Sequence, residues 1–369
     1  MSVSARAIAL YLPQFHPVPE NDLWWGKGFT EWTNTAKAKP LYRGHYQPHV
    51  PADLGFYDLR VPESRAAQAE LARRYGIEGF CYYHYWFAGR RILERPFNEV
   101  LASGAPDFPF CLCWANETWS GIWHGAPNRI LIEQTYPGEG DHRAHFAALL
   151  PAFRDRRYMR VEGRPILVLY KPEKLPDAAA ATALWRRLAV EAGLPGLHFV
   201  GFCNIASWNP REHGFDAKLV TPLVGSRPWI SRRRPLAWLR QRLDMRRGLP
   251  TFHAYETIAG TYAQTLRREV RGEGASYPAY PCALHAWDNT PRSGGNGVVL
   301  WGATPERYRA HLRAAVEALA HRPADQRLLF LKSWNEWAEG NHLEPDLRDG
   351  HAWLEAVRAE VAPALAASG

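Results

Sequence analysis

The residues best suited to chemistry are Glu336 and Glu339, three positions apart in Trp334-Asn335-Glu336-Trp337-Ala338-Glu339-Gly340. One helical turn there would project both carboxylates to the same side. A carboxylate pair can divide the acid, base and nucleophile roles that a glycosidic bond requires, and flanking indoles give a sugar ring a platform. Solvated loop acids are the plainer reading. Glutamates packed among tryptophans are costly to bury unless they have a task, so we take Glu336 and Glu339 as the catalytic pair.

Other polar and aromatic residues gather at the ends of apolar runs. Glu117 and Asp288 are acids in such positions. In Trp114-Ala115-Asn116-Glu117 the acid could donate a proton or simply pair with an arginine, and Asn116 would hold a substrate hydroxyl. His16, Tyr83, His84, Tyr85 and Asn335 are candidates for hydrogen bonds to sugar hydroxyls. Trp114, Trp287 and Trp334, with Trp86 and Trp119, are candidates for stacking, although any one of them alone fits a core or cleft wall equally well.

Cofactor and metal chemistry finds little support. Glu336, Glu339 and His342 have spacings that could place ligands on one face, but no second Glu-x-x-His and no metalloprotease pattern accompany them. There is no Gly-rich phosphate loop, no nucleophile elbow around a serine, and no Asp-x-Asp for a metal-bound sugar nucleotide. No metal and no cofactor are expected.

The elements that must position these residues alternate regularly. Apolar runs predict strands over 7–12, 79–87, 108–114, 165–170, 198–203, 217–224, 280–286 and 327–332. Helical periodicity falls between them at 62–75, 91–101, 140–153, 177–192, 257–271 and 305–319, with a last helix at 352–361. Eight strands alternating with helices give an α/β fold, a (β/α)8 barrel whose active site belongs at the C-terminal strand ends, where the polar clusters lie. A doubly wound sheet would need a glycine-rich turn after the first strand, and Pro13-Gln14-Phe15-His16 is not one. The segment from Gln14 to Pro62, rich in Trp, Gly and Pro, reads as a long barrel-top loop closing over the cleft. The whole chain, 1–369, reads as a single catalytic domain with a basic insertion at about 226–275.

Composition narrows the partners. The formal charge is +8, much of it from Arg227, Arg232, Arg233, Arg234, Arg240, Arg242, Arg246 and Arg247. Such a cluster suits an anionic polysaccharide, a peripheral membrane contact or plain solvation. Nucleic acid is not expected, because the aromatic residues gather at strand ends and not among the arginines. Cys81, Cys111, Cys113, Cys203 and Cys282 are odd in number and mostly embedded in apolar runs, as reduced thiols would be. The first residues carry too short an apolar stretch for a signal peptide, and no window is long enough to span a membrane. The expected location is the cytoplasm or the inner membrane surface.

Five stretches together carry a family resemblance: Ile8 to His16 (IALYLPQFH), Gly79 to Phe87 (GFCYYHYWF), Trp114 to Glu117, Trp287 to Arg292 (WDNTPR) and Trp334 to Gly340. Over nearly the whole chain they resemble the WbsX-type proteins found with bacterial O-antigen and capsule genes. These are similar in turn to the endo-α-mannosidase clan of glycoside hydrolases, a thinner likeness resting on the barrel and on Glu336-Trp337-Ala338-Glu339-Gly340. The resemblance implies a (β/α)8 barrel acting with retention on a polysaccharide or oligosaccharide, as a hydrolase or as a transferase. It implies that Glu336 acts on the sugar 2-hydroxyl and that Glu339 is the general acid/base. A non-catalytic polysaccharide-binding barrel is the alternative.

Overall fold

The computed structural model describes residues 4–121, 126–222, 247–273 and 277–361. Its centre is a closed barrel of eight parallel strands: β1 (Arg6–Tyr11), β2 (Ile77–Phe87), β3 (Phe110–Trp114), β4 (Arg164–Leu169), β5 (His198–Phe202), β6 (Ala217–Val220), β7 (Ala279–Leu284) and β8 (Leu328–Lys332). Each strand lies beside its neighbours in sequence, and β8 pairs with β1 to close the ring. Ala7 aligns with Leu329 and Ile8 with Phe330 across that closure, while Leu10 aligns with Cys81 on the other side of β1. Strands covered on both faces have no use for alternating polarity, and Leu328 to Leu331 are accordingly all buried.

The helices cover the barrel: α1 (Pro19–Trp25), α2 (Glu31–Lys37), α3 (Pro62–Arg74), α4 (Arg95–Ser103), α5 (Glu139–Arg154), α6 (Ala178–Glu191), α7 (Tyr255–Thr265), α8 (Thr290–Ser293), α9 (Pro305–Ala318) and α10 (Ala352–Val361). Their starts follow local chemistry. Proline opens α3 and α9, where a missing N–H does no harm, and Asp177 accepts the Ala180 N–H at 3.1 Å ahead of α6.

Three sequence expectations change. The segment 14–62 is not structureless, since it carries α1 and α2. The helix expected from Arg91 begins at Arg95, because Arg90–Ile92 instead pairs antiparallel with the end of β2. The sixth strand is seen over Ala217–Val220, and its expected extension past Pro222 lies outside the described residues. The arginine-rich stretch up to Arg246, the first part of the expected insertion, also lies outside them. The described remainder contributes Thr251–Ala254, paired with Val298–Trp301, and α7. Among the described residues no helix is long and apolar enough to cross a membrane. The five cysteines are buried and free.

Candidate active site

Glu336 and Glu339 lie just beyond β8, around a tight turn at Trp337–Glu339 that closes on Gly340. Gly340 has φ 53°, and a Cβ there would meet Asp288 Cβ at 3.0 Å, so the turn and its close approach to the β7 exit both favour glycine. The intervening Trp337 points into the core. Its ring stacks on His342 at 3.7 Å and its indole N–H donates to Glu344 at 2.6 Å. The two glutamates are left facing the barrel mouth.

One guanidinium joins them. Arg292, on α8, donates through Nη1 to Glu339 Oε1 at 2.6 Å and through Nη2 to Glu336 Oε2 at 2.9 Å. It also bonds Glu31 Oε1, through Nη2 and through Nε at 3.1 Å. Glu31 is delivered by α2 and is almost fully buried. Three carboxylates thus share one cation, and all sit out of water. Burial and the neighbouring Glu336 raise the Glu339 carboxyl to about 7, against the opposing pull of Arg292 and Lys332. Burial likewise raises Glu31, with Arg292 opposing and Glu336 adding to the rise. Burial disfavours the charge on Arg292, but Glu31, Glu339 and Glu336 outweigh it and hold its pKa high.

The cluster opens into a cavity of about 230 Å³. Its aromatic walls are Trp25, Tyr83, Tyr85, Trp119, Tyr170 and Trp287, and Asn34, Glu117 and Lys332 also face it. Tyr83 and Tyr85 point inward because alternate strand residues share a face. A carboxylate pair 6% exposed each, walled by rings and steadied by a guanidinium, can hold one proton near neutral pH and deliver it to a bound oxygen.

Of the residues picked out in the sequence, Glu336, Glu339, Tyr83, Tyr85, Glu117, Trp119 and Trp287 meet around this cavity. Glu117 pairs with lysines, Lys174 at 3.5 Å and Lys171 at 3.8 Å, where an arginine had been the expected partner. The others lie elsewhere. His84 faces outward from β2 and shares a 2.8 Å hydrogen bond with His145 of α5, against which Trp114 also packs. His16 is buried with Nδ1 3.0 Å from the Pro13 carbonyl. Trp334 is fully buried against Phe80. Asn335 accepts the Leu12 N–H at 2.7 Å and donates to the Leu12 carbonyl at 3.0 Å, spending its amide on the β1 exit. Asn116 does the same for Lys171 at the β4 exit, both contacts at 2.8 Å. Asp288 binds His45 at 2.7 Å, Gln47 at 2.8 Å and both the N–H and hydroxyl of Thr290.

Glu31, Arg292 and Lys332 escaped the sequence reading as site residues. Glu31 carried a signal: Glu31-Trp32 repeats the Glu336-Trp337 step, and the two indoles meet at 5.3 Å. A metal could be offered ligands away from the cavity by His49, His342 and Asp346, whose ligand atoms lie within 4.8 Å of one another. The 2.7 Å separation of His49 Nδ1 and His342 Nε2 is that of a hydrogen bond, which accounts for the pair without an ion. His342 therefore does not join Glu336 and Glu339.

Comparison with known proteins agrees with this architecture. Two WxcX proteins of Xanthomonas campestris pv. campestris, described as uncharacterized, are each 41% identical over 97% of the chain. The chain spans about half the length of these curated relatives (50%). Among solved structures, a glycoside hydrolase-like protein superposes with a TM-score of 0.63 at 14% identity, covering 98% of this chain and 95% of that one. A family 99 endo-α-mannosidase from Bacteroides thetaiotaomicron gives 0.60 at 14% identity, covering 98% and 97%. At that identity the likeness establishes the barrel alone. The family model described as glycosyltransferase WbsX matches residues 7–357, and the chain therefore belongs to the WbsX family.

Proposed function

We propose that this chain is a carbohydrate-active enzyme that works with retention at a glycosidic bond of a bacterial surface polysaccharide or its precursor, in the cytoplasm or at the inner membrane surface. The observation that carries the reading is the placement of Glu336 and Glu339 at one cavity under a shared guanidinium, with Glu339 poised near neutral. A sugar in the cavity would give its 2-hydroxyl proton to Glu336 as that oxygen attacks the anomeric carbon. Protonated Glu339 would give its proton to the departing oxygen, so that the bond to the leaving group breaks as the bond to the 2-oxygen forms. Carboxylate Glu339 would then take a proton from the incoming hydroxyl, and Glu336 would return one to the 2-oxygen. Arg292, bonded to both, would hold the two carboxylates in place.

Water as the incoming group makes the enzyme a hydrolase, and a sugar hydroxyl makes it a transferase. The family's description favours transfer, and the fold likeness to endo-α-mannosidases favours the carboxylate route. The test is a product assay on the polysaccharide specified by the host's own gene cluster, wild type beside Glu339→Gln. Shortened chains with new reducing ends mean hydrolysis, and lengthened or rejoined chains mean transfer. Full activity in Glu339→Gln would refute the assignment. Absence of turnover by wild type on hydrolytic and transfer substrates alike, with binding intact and lost on Trp287→Ala, would leave a binding barrel.

A further inference from the structure

The cleft has a second lobe. Tyr170, Trp287 and Lys332 line the main cavity and also a neighbouring one of about 420 Å³, which runs on over the exits of β4, β5 and β6. The two lobes differ in charge. The first is lined by four carboxylates, Glu31, Glu117, Glu336 and Glu339, and among the described residues its lining cations are Arg292 and Lys332. The second holds Lys332 and Lys171, and Glu173 is its one lining carboxylate among the described residues.

Lys332 stands on the wall between them. It ends β8, and its ammonium lies 5.2 Å from the Trp287 ring centroid. No carboxylate of the described residues forms an ion pair with it within 4.0 Å, and Arg292 engages both glutamates. Burial disfavours the charge on Lys332, but Tyr170, Glu339 and Glu336 outweigh that and hold its pKa high, so it faces the cleft as an ammonium. Lys171 extends the positive edge along the second lobe, its ammonium 4.9 Å from the Tyr170 ring and 3.8 Å from Glu117. Tyr170, Phe202 and Trp287 supply ring faces beside these charges.

We propose that the second lobe is a subsite for an anionic group, bound by Lys332 and Lys171. The inference rests on the proposed roles of the glutamates for one point: the reacting sugar sits with Glu336 and Glu339 in the first lobe, so the anion belongs to a group beyond it, in the second. The sugar that reacts is neutral, because an anionic ring in the first lobe would meet the glutamates. The anion is the carboxylate of an acidic sugar, one unit away, or the diphosphate of an activated donor. Either offers oxygens to a pair of ammonium groups.

Binding, read without turnover, separates these sources. Titration calorimetry would use methyl β-glucuronide, methyl β-glucoside and inorganic pyrophosphate on wild type, Lys332→Met and Lys171→Met. Wild type should bind the glucuronide or pyrophosphate at least tenfold more tightly than the glucoside, and added salt should weaken that preference. The anion that binds more tightly identifies the source. Each lysine variant should lose about fivefold or more in anion affinity, and Lys171→Met should do so with glucoside binding unchanged. Lys171 is partly exposed, so Lys171→Met tests the site even if Lys332→Met fails to fold. Equal binding of glucuronide, pyrophosphate and glucoside by wild type, or anion affinity unchanged in Lys171→Met, would overturn the proposal. Neither result would touch the glutamate assignment, which stands or falls on product formation by Glu339→Gln.

Discussion

At the scale of residues, the unusual feature is one guanidinium serving three buried carboxylates. That arrangement makes the proton on Glu339 adjustable, and the sign of each adjustment follows from charge. Glu339 must be protonated to donate, so turnover should fall as pH rises through about 7, and this limb should vanish in Glu339→Gln along with about 10²- to 10⁴-fold of the rate. Glu31→Gln removes a like charge that raises Glu339, so the limb should move to lower pH. Arg292→Met removes the cation that lowers it, so the limb should move up. The same proton bears on stability. Glu339 binds it more tightly folded than unfolded, so its contribution is present below about 4.5 and is lost as pH rises through about 7. Glu339→Gln has no such loss. Its melting temperature should pull ahead of the wild type across that window, by an amount corresponding to at most about 3 kcal/mol. A constant difference between the two proteins at every pH would show that burial does not hold Glu339 protonated.

At the scale of elements, the barrel top is fastened by asparagines. Asn116 joins the exits of β3 and β4, Asn204 accepts the Thr221 N–H at 3.1 Å between β5 and β6, and Asn335 joins β8 to β1. Each side chain satisfies backbone groups that the ending ladder leaves open. This explains an error of sequence reading. An asparagine just past a buried strand looks like a sugar ligand, because nothing in the sequence says that the neighbouring strand will claim its amide. His84 and Trp114 were misplaced differently: both sit in runs buried on both faces, where no alternation tells inside from outside. The strands themselves, Glu336 and Glu339 were legible because a long apolar run and a carboxylate pair are local signals. Arg292 was not, since its partners are 261, 44 and 47 residues away. Asn335→Ala should leave the buried Leu12 N–H and carbonyl unpaired, at about 1–3 kcal/mol for each orphaned group. Thermal unfolding would measure it. A change below about 0.5 kcal/mol would mean that the bracket closes nothing.

At the scale of the molecule, everything at the site depends on the ring being closed. Glu31 comes from a segment after the first strand, Arg292 follows the seventh, and Glu336 and Glu339 follow the last, so the β8–β1 and β7–β8 pairings carry the three segments to one place. The thiols report on that closure from around the barrel: Cys81 on β2, Cys111 and Cys113 on β3, Cys203 beyond β5 and Cys282 on β7, all buried. Burial raises the pKa of Cys81, Cys203 and Cys282, which further suppresses the reactive thiolate. An excess of a chromogenic disulfide should therefore label none of them in the native protein within the time that fully labels the unfolded chain. As denaturant is raised, a barrel that opens as one unit should release all five together, at the midpoint seen by tryptophan fluorescence. Release of Cys282 well before Cys81, Cys111 and Cys113 would show instead that β7 separates while β2 and β3 hold, and β7 is the strand whose exit leads to Arg292. In that case activity should disappear with Cys282 protection and ahead of global unfolding, because the cation that binds Glu31, Glu336 and Glu339 would leave first.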